Sequence, residues 1–185
     1  ESFKLVSDRL EAVHKGLGEM QTLATDVGGL KKVLTNVSTR GAMGEIQAER
    51  ILEQILAPAQ YGKNVKTHPE CKGQVEFAIK LPGIDGTMDE PVWLPIDCKF
   101  PKEDYERLLD AYETGDKKAV EKAYSTFESN VTAKAKTIRK EYVSAPHTTD
   151  FAVMFLPTEG LYADVVRRPG LFESLQRDHQ IVVTG

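Results

Sequence analysis

The chain has 185 residues, of which 41% are hydrophobic and 28% charged, and its formal net charge is −4. At roughly 150 residues per domain this is one globular domain with a modest surplus, and wholesale disorder is excluded. The acidic balance excludes a generally basic nucleic-acid coat, though not a local basic groove, and two cysteines exclude a small disulfide-stapled fold and favour a reducing compartment.

No apolar run approaches the ~18 residues of a membrane span, and no signal peptide is present. The chain begins at Glu1 rather than Met and ends at Gly185 straight after an apolar run. It reads as a piece of a longer protein, so a missing anchor says little about the parent.

Residues 1–37 differ in character from the rest. Phe3, Val6, Leu10, Val13, Leu17, Met20, Ala24 and Val27 advance in steps of three and four, the seam of a coiled coil. The series restarts at Leu30, Leu34 and Val37 with a stammer. Such a narrow stripe has no core of its own. It either pairs with a partner helix as the end of a stalk or folds back on the body. From residue 38 to 185 the pattern is that of a mixed domain.

Ile46, Ile51, Leu52, Ile55 and Leu56 continue the helical period, and Pro58 stops it. The Arg40-Gly41-Ala42-Met43-Gly44-Glu45 start places Glu45 in the early turns, with Glu49 on the same face. Glu45 is either a macrodipole-favoured charge or a carboxylate aimed at a site. Strands are predicted at Asn64–Thr67, Gln74–Leu81 and Val92–Phe100. The last two form a hairpin across the Pro82–Gly86 turn cluster, and Pro95 implies an edge or a bulge. A polar helical stretch from Lys102 to about Ser144, interrupted near Gly115, buries Leu108, Tyr124, Phe127, Val131, Ala135 and Ile138. Phe151–Leu156 reads as a central strand covered on both faces, and Ile181–Thr184 as another strand. The order is helix, three strands, helix, strand: an α/β fold with a mixed sheet flanked by helices.

The chemistry concentrates on the hairpin. Alternation puts Asp97 and Lys99 on one face and Cys98 on the other, and antiparallel pairing can bring Glu76 beside Asp97. Two adjacent carboxylates repel unless a cation lies between them, and such oxygen donors suit Mg²⁺ or Mn²⁺. A lysine two residues on can orient water or stabilise charge on a phosphate. The bland alternative is a solvated strand face with a carboxylate–lysine ion pair. Lys134, Lys136, Arg139 and Lys140 form the densest basic stretch, either a solvated helix face or a set of phosphate contacts. Arg167-Arg168 is a weaker basic candidate, and Glu159 is either a site member or a loop charge. His68 and Cys71 lack a second pair at zinc spacing, and no phosphate-binding glycine loop exists.

The coiled-coil start, R-G-x-x-G-E at Arg40–Glu45, I-D-C-K-x-P at Ile96–Pro101 with Tyr105 following, and D-F-x-x-M-F-L-P-T-E at Asp150–Glu159 together resemble the RmuC family of bacterial DNA recombination proteins. The resemblance covers about residues 38–185. It implies a restriction-endonuclease-like fold of the PD-(D/E)xK type, with an αβββαβ core, behind a coiled coil and a membrane anchor. It implies that Asp97 and Lys99 are the (D/E)xK pair, Glu76 stands at the motif's first aspartate and Glu45 is the helical glutamate. Glu in place of Asp at 76, and Val75 in place of the motif's proline, are departures.

The expected function is a metal-dependent DNA nuclease acting in recombination or rearrangement. Glu76, Asp97, Glu45 and the Cys98 carbonyl would hold Mg²⁺ or Mn²⁺; Lys99, Asp97 and Glu76 would act in catalysis; Lys134, Lys136, Arg139 and Lys140 would contact DNA. The rival is an inactive nuclease-fold scaffold that grips DNA or another protein. Expected partners are DNA and a second copy of the chain through the coiled coil. The expected location is the bacterial cytoplasm, with the parent protein tethered to the inner membrane.

Overall fold

The computed structural model describes residues 37–83, 86 and 90–185, with side chains from Gly44 onward. The coiled-coil expectation for residues 1–37 therefore lies outside the described residues, save the backbone of Val37.

Helix α1 spans Val37–Ile55, and a short 3₁₀ turn at Pro58–Gln60 leads into strand β1, Tyr61–Val65. Strands β2 (Val75–Leu81) and β3 (Val92–Asp97) follow. Helices α2 (Lys102–Thr114) and α3 (Lys117–Tyr142) precede β4, Ala152–Phe155. Helices α4 (Glu159–Arg167) and α5 (Leu171–Arg177) precede β5, Ile181–Thr184. The sheet runs in the order β1-β2-β3-β4-β5, antiparallel through β1, β2 and β3 and parallel from β3 to β5. The fold is a mixed α/β one, with the three strands in the expected order.

The differences from expectation have local causes. The first strand lies at Tyr61–Val65 rather than Asn64–Thr67 because its pairing with β2 runs from Tyr61 opposite Ile79 to Val65 opposite Val75. Helices α4 and α5 were not anticipated; each is short, and Gly170 at φ +81 separates them. Pro95 is not in a bulge, since it pairs with Ala78 in the middle strand, but on its other side the strand is locally an unpaired edge. The Trp93 N–H donates to the His147 carbonyl on the β4 side. Two residues on, Pro95 therefore turns its missing donor to that same side. There the β3–β4 ladder begins only at Ile96, so no hydrogen bond is lost.

The sheet separates two cores. On one face α1 contributes Ala48 and Leu52 against Phe77, Ile96, Cys98 and Phe155. On the other, Leu108 from α2 and Phe127, Val131, Ala135 and Ile138 from α3 pack with Ala78, Ala152 and Met154. The α3 spacing of four, four and three residues makes one stripe at helical period. Each such large side chain, fully buried, contributes about 1.5–3 kcal/mol. Asp116 caps α3 by accepting the Lys118 N–H at 2.9 Å, and Gly115 at φ +67 makes the break from α2.

Candidate functional site: a buried carboxylate pair held by two lysines

Phe77 pairs with Ile96, so one step further along the antiparallel register Glu76 stands opposite Asp97. Both lie on the α3 face, because their neighbours Phe77 and Ile96 belong to the α1 core. Glu76 is 5% exposed and Asp97 1%. Asp97 ends β3, and Cys98 and Lys99 are already outside the strand. Lys99 thus joins Glu76 through a turn rather than through strand alternation. The Lys99 backbone N–H donates to Asp97 Oδ1 at 3.0 Å, while its ammonium pairs with Glu76 Oε1. The Cys98 N–H donates to Glu76 Oε2 at 3.2 Å.

The remaining Asp97 oxygen, Oδ2, lies 3.3 Å from the ammonium of Lys134 on α3. Neither Glu76 Oε1 nor Asp97 Oδ2 accepts a hydrogen bond of good geometry, although both are buried. Each is faced only by a lysine charge. Burial is the main cause that pushes the Asp97 carboxyl up to about 6; Lys134 opposes it and Glu76 adds to it. The hydrogen bond to Glu76 foremost raises the Lys99 ammonium. Tyr142 borders the same charges: burial first, then Asp97, pushes its phenol up to about 12. A cavity of about 340 Å³ beside the pair has Lys99 and Lys134 in its wall, together with Phe100, Pro101 and Asn130. A ligand entering there meets both ammoniums before the carboxylates.

Glu45 lies on α1, the helix packed on the other face of the sheet. It follows Gly44, where a Cβ would lie 3.3 Å from the Cys98 carbonyl, so α1 seats against that carbonyl on the far side of the sheet. The helix already runs from Val37, which places Glu45 in its interior rather than its early turns. The field of Glu45 reaches Cys98, whose thiol is driven well up, first by burial and then by Glu76 and Asp97. Among the described residues no three His, Cys, Asp or Glu side chains group as a metal site. The donor chemistry present is the Glu76–Asp97 pair, with one oxygen of each faced by an ammonium. That set fits a hard divalent cation, which would have to displace ammonium from both oxygens.

The basic stretch on α3 divides. Lys134 turns to Asp97, while Lys136 and Lys140 are exposed. Arg139 bonds Gln180 Oε1 at 2.8 Å and the Val143 carbonyl at 3.2 Å, closing the helix end. Glu159 is an exposed first residue of α4 behind the capping Thr158. Arg168 is engaged with Glu121 and Glu128 and lies over the Tyr124 ring. Sequence reasoning did not single out Tyr142, or Lys134 as Asp97's partner. The available signal was position: Lys134 flanks the buried Val131–Ala135–Ile138 stripe, so its stem must run along the sheet.

Comparison with known proteins supplies the family. The RmuC family model matches residues 1–185. The DNA recombination protein RmuC homolog of Xylella fastidiosa is 56% identical over 184 residues, covering 100% of this chain and 40% of that protein. The Chlamydia trachomatis homolog is 29% identical over 150 residues, 80% of this chain and 31% of its own length. The Pseudomonas aeruginosa homolog is 24% identical over 184 residues, 96% and 37% respectively. The matches thus span 31–40% of the length of these curated relatives. No solved structure matches. A match along the entire chain, with more than half the residues shared with the Xylella homolog, places this chain in the RmuC family.

Proposed function

We propose that this domain is a metal-dependent phosphodiesterase acting on DNA in recombination or rearrangement, built on a PD-(D/E)xK-type fold. The observation that carries the reading is the Glu76–Asp97 pair, buried at the end of a central hairpin with Lys99 and Lys134 against it. Burying two adjacent carboxylates is costly, and a core hairpin end with no function to serve would be better filled by apolar residues. The α–βββ–αα–β order of the first elements and the recombination-protein names of the relatives support the same reading.

Glu76 and Asp97 would hold Mg²⁺ or Mn²⁺, with Glu45 and the Cys98 carbonyl as further proposed donors, and the cation would supply Lewis acidity at a phosphoryl oxygen. The chain's own groups do the rest. Lys99 and Lys134 line the cavity mouth, where they attract a phosphate and offset charge that grows on it. The Lys99 N–H fixes the Asp97 carboxylate in one orientation, and the Cys98 N–H does the same for Glu76. Lys136 and Lys140, exposed on α3, remain proposed backbone contacts. The proposed parent protein joins copies through the residues 1–37 coiled coil and carries a membrane anchor; no described helix is long and apolar enough to cross a membrane.

A second reading has its own support. The two lysines already neutralise the acidic pair, as in a nuclease fold that has given up catalysis and grips DNA or protein as a scaffold. Incubation of single-stranded, duplex and branched DNA with Mg²⁺ or Mn²⁺ separates the two. Cleavage by the wild type that disappears in both Asp97→Asn and Lys99→Met supports the enzyme. Equal cleavage by all three, or none with either ion, removes it.

A further inference from the structure

A second concavity, of about 760 Å³, opens on the same side of the sheet as the acidic pair, near the start of β3. Its wall includes Lys66, His68, Pro69, Trp93, Pro146 and His147. Trp93 and Asp97 are four residues apart on one strand. They therefore share a face and lie about 13 Å apart along it. The Trp93 backbone is fixed on its β4 side: its N–H donates to the His147 carbonyl at 2.9 Å and its carbonyl accepts the Thr149 N–H at 2.9 Å. The ring reaches across β2 to Gly62, where a Cβ would come within 3.6 Å of it, and the Lys80 ammonium lies 5.7 Å from its centroid. His68 is fixed as well, since its Nε2–H must donate to the Glu141 carbonyl at 2.9 Å. Its Nδ1 is left to accept.

A half-buried indole on a rigid strand, bordered by exposed Lys66 and His147 and by a histidine with a free acceptor, matches the chemistry of a nucleotide. The flat ring takes a base, the Lys66 ammonium and a His147 ring N–H take its phosphate, and the acceptor takes a base amino group. Among the described residues Glu90 is the one carboxylate in the wall, and it is exposed. We propose that this cavity is a base-stacking subsite for single-stranded DNA, in which Trp93 receives a base and Lys66 and His147 hold the adjoining phosphate. The assignment rests on the phosphodiesterase reading of the Glu76–Asp97 pair, which it extends by naming an unpaired strand as the substrate. A duplex keeps its bases stacked on one another and has none to offer the ring.

Trp93 is the chain's single tryptophan, so its fluorescence reports this site alone. Titration with a short oligodeoxycytidylate at low salt is expected to quench that emission saturably, and the matching duplex to quench it far less. Lys66→Ala and His147→Ala, both at exposed positions, should each weaken the oligonucleotide several-fold. Trp93→Leu should weaken it about tenfold, read by the anisotropy of a labelled strand. Emission that does not change while anisotropy shows binding puts the strand elsewhere and overturns the subsite. Unaltered affinity in the two alanine variants, or quenching by a proline-rich peptide in place of DNA, overturns it too. Cleavage without quenching defeats the subsite alone; quenching without cleavage defeats the phosphodiesterase reading and leaves the subsite standing.

Discussion

Replacing Asp97 by Asn tests the electrostatic reasoning at its centre. The carboxyl is raised from its ordinary 3.8 to about 6, with burial as the main cause. In the unfolded chain it returns to the ordinary value. Between those two pH values the folded state binds the proton that the unfolded state releases, so this group favours folding most below about pH 4. That contribution is lost as pH rises through about 6. A gap of about two pKa units corresponds to about 3 kcal/mol. Asn keeps the shape and removes the charge. Its amide can still accept the Lys99 N–H but turns a donor toward Lys134, which returns about 1 kcal/mol. The variant should therefore be more stable than wild type by about 2 kcal/mol above roughly pH 7, and about equal or slightly weaker near pH 4. Urea unfolding followed by circular dichroism at both ends of this range measures the difference, and other titrating groups cancel between the two proteins. An Asn variant that is less stable than wild type at high pH, or a difference that does not vary with pH, refutes the account.

Three further outcomes follow from the geometry. Lys134→Met leaves Asp97 without the charge that opposes its burial. It should cost about 2 kcal/mol at neutral pH, less at low pH, and NMR of the carboxyl carbon should show Asp97 titrating still higher. Phe127→Ala, at a fully buried α3 position between Tyr105 and Tyr124, should cost about 3–5 kcal/mol in the same urea assay. Cys98, buried and with its thiol driven up, should react with a thiol reagent only at the rate of unfolding, so protection that collapses below denaturing conditions would contradict its placement.

The hairpin and the pairing of its two carboxylates were legible because they rest on short-range rules. Alternation and the Pro82–Gly86 turn cluster fix which residues of β2 and β3 share a face, and register then sets Glu76 against Asp97. The α3 stripe was legible for the same reason, as a period within one element. Three things were not. The strand order around β3 depends on which elements pair across the long helical crossover, so the central position of Pro95 could not be read locally. The side of the sheet taken by α1 decides that Gly44 abuts the Cys98 carbonyl, and no spacing within α1 encodes it. The Lys134–Asp97 contact joins residues far apart in the chain and appears only once α3 lies over the sheet.

The Pro95 arrangement also bears on how the chain comes together. Strands β3 and β4 share two register pairs, and these fall at Ile96 and Asp97. The antiparallel half can thus assemble early, from neighbouring segments, while the parallel half waits for a crossover that contains both long helices. The carboxylates belong to the early half, and Lys134 travels on the crossover. In chain order the acidic pair and Lys99 come first, and α3 brings the second countercharge, Lys134. The joint between the two halves and the buried carboxylate pair are therefore one place, and the pair gains Lys134 by the same event that closes the sheet.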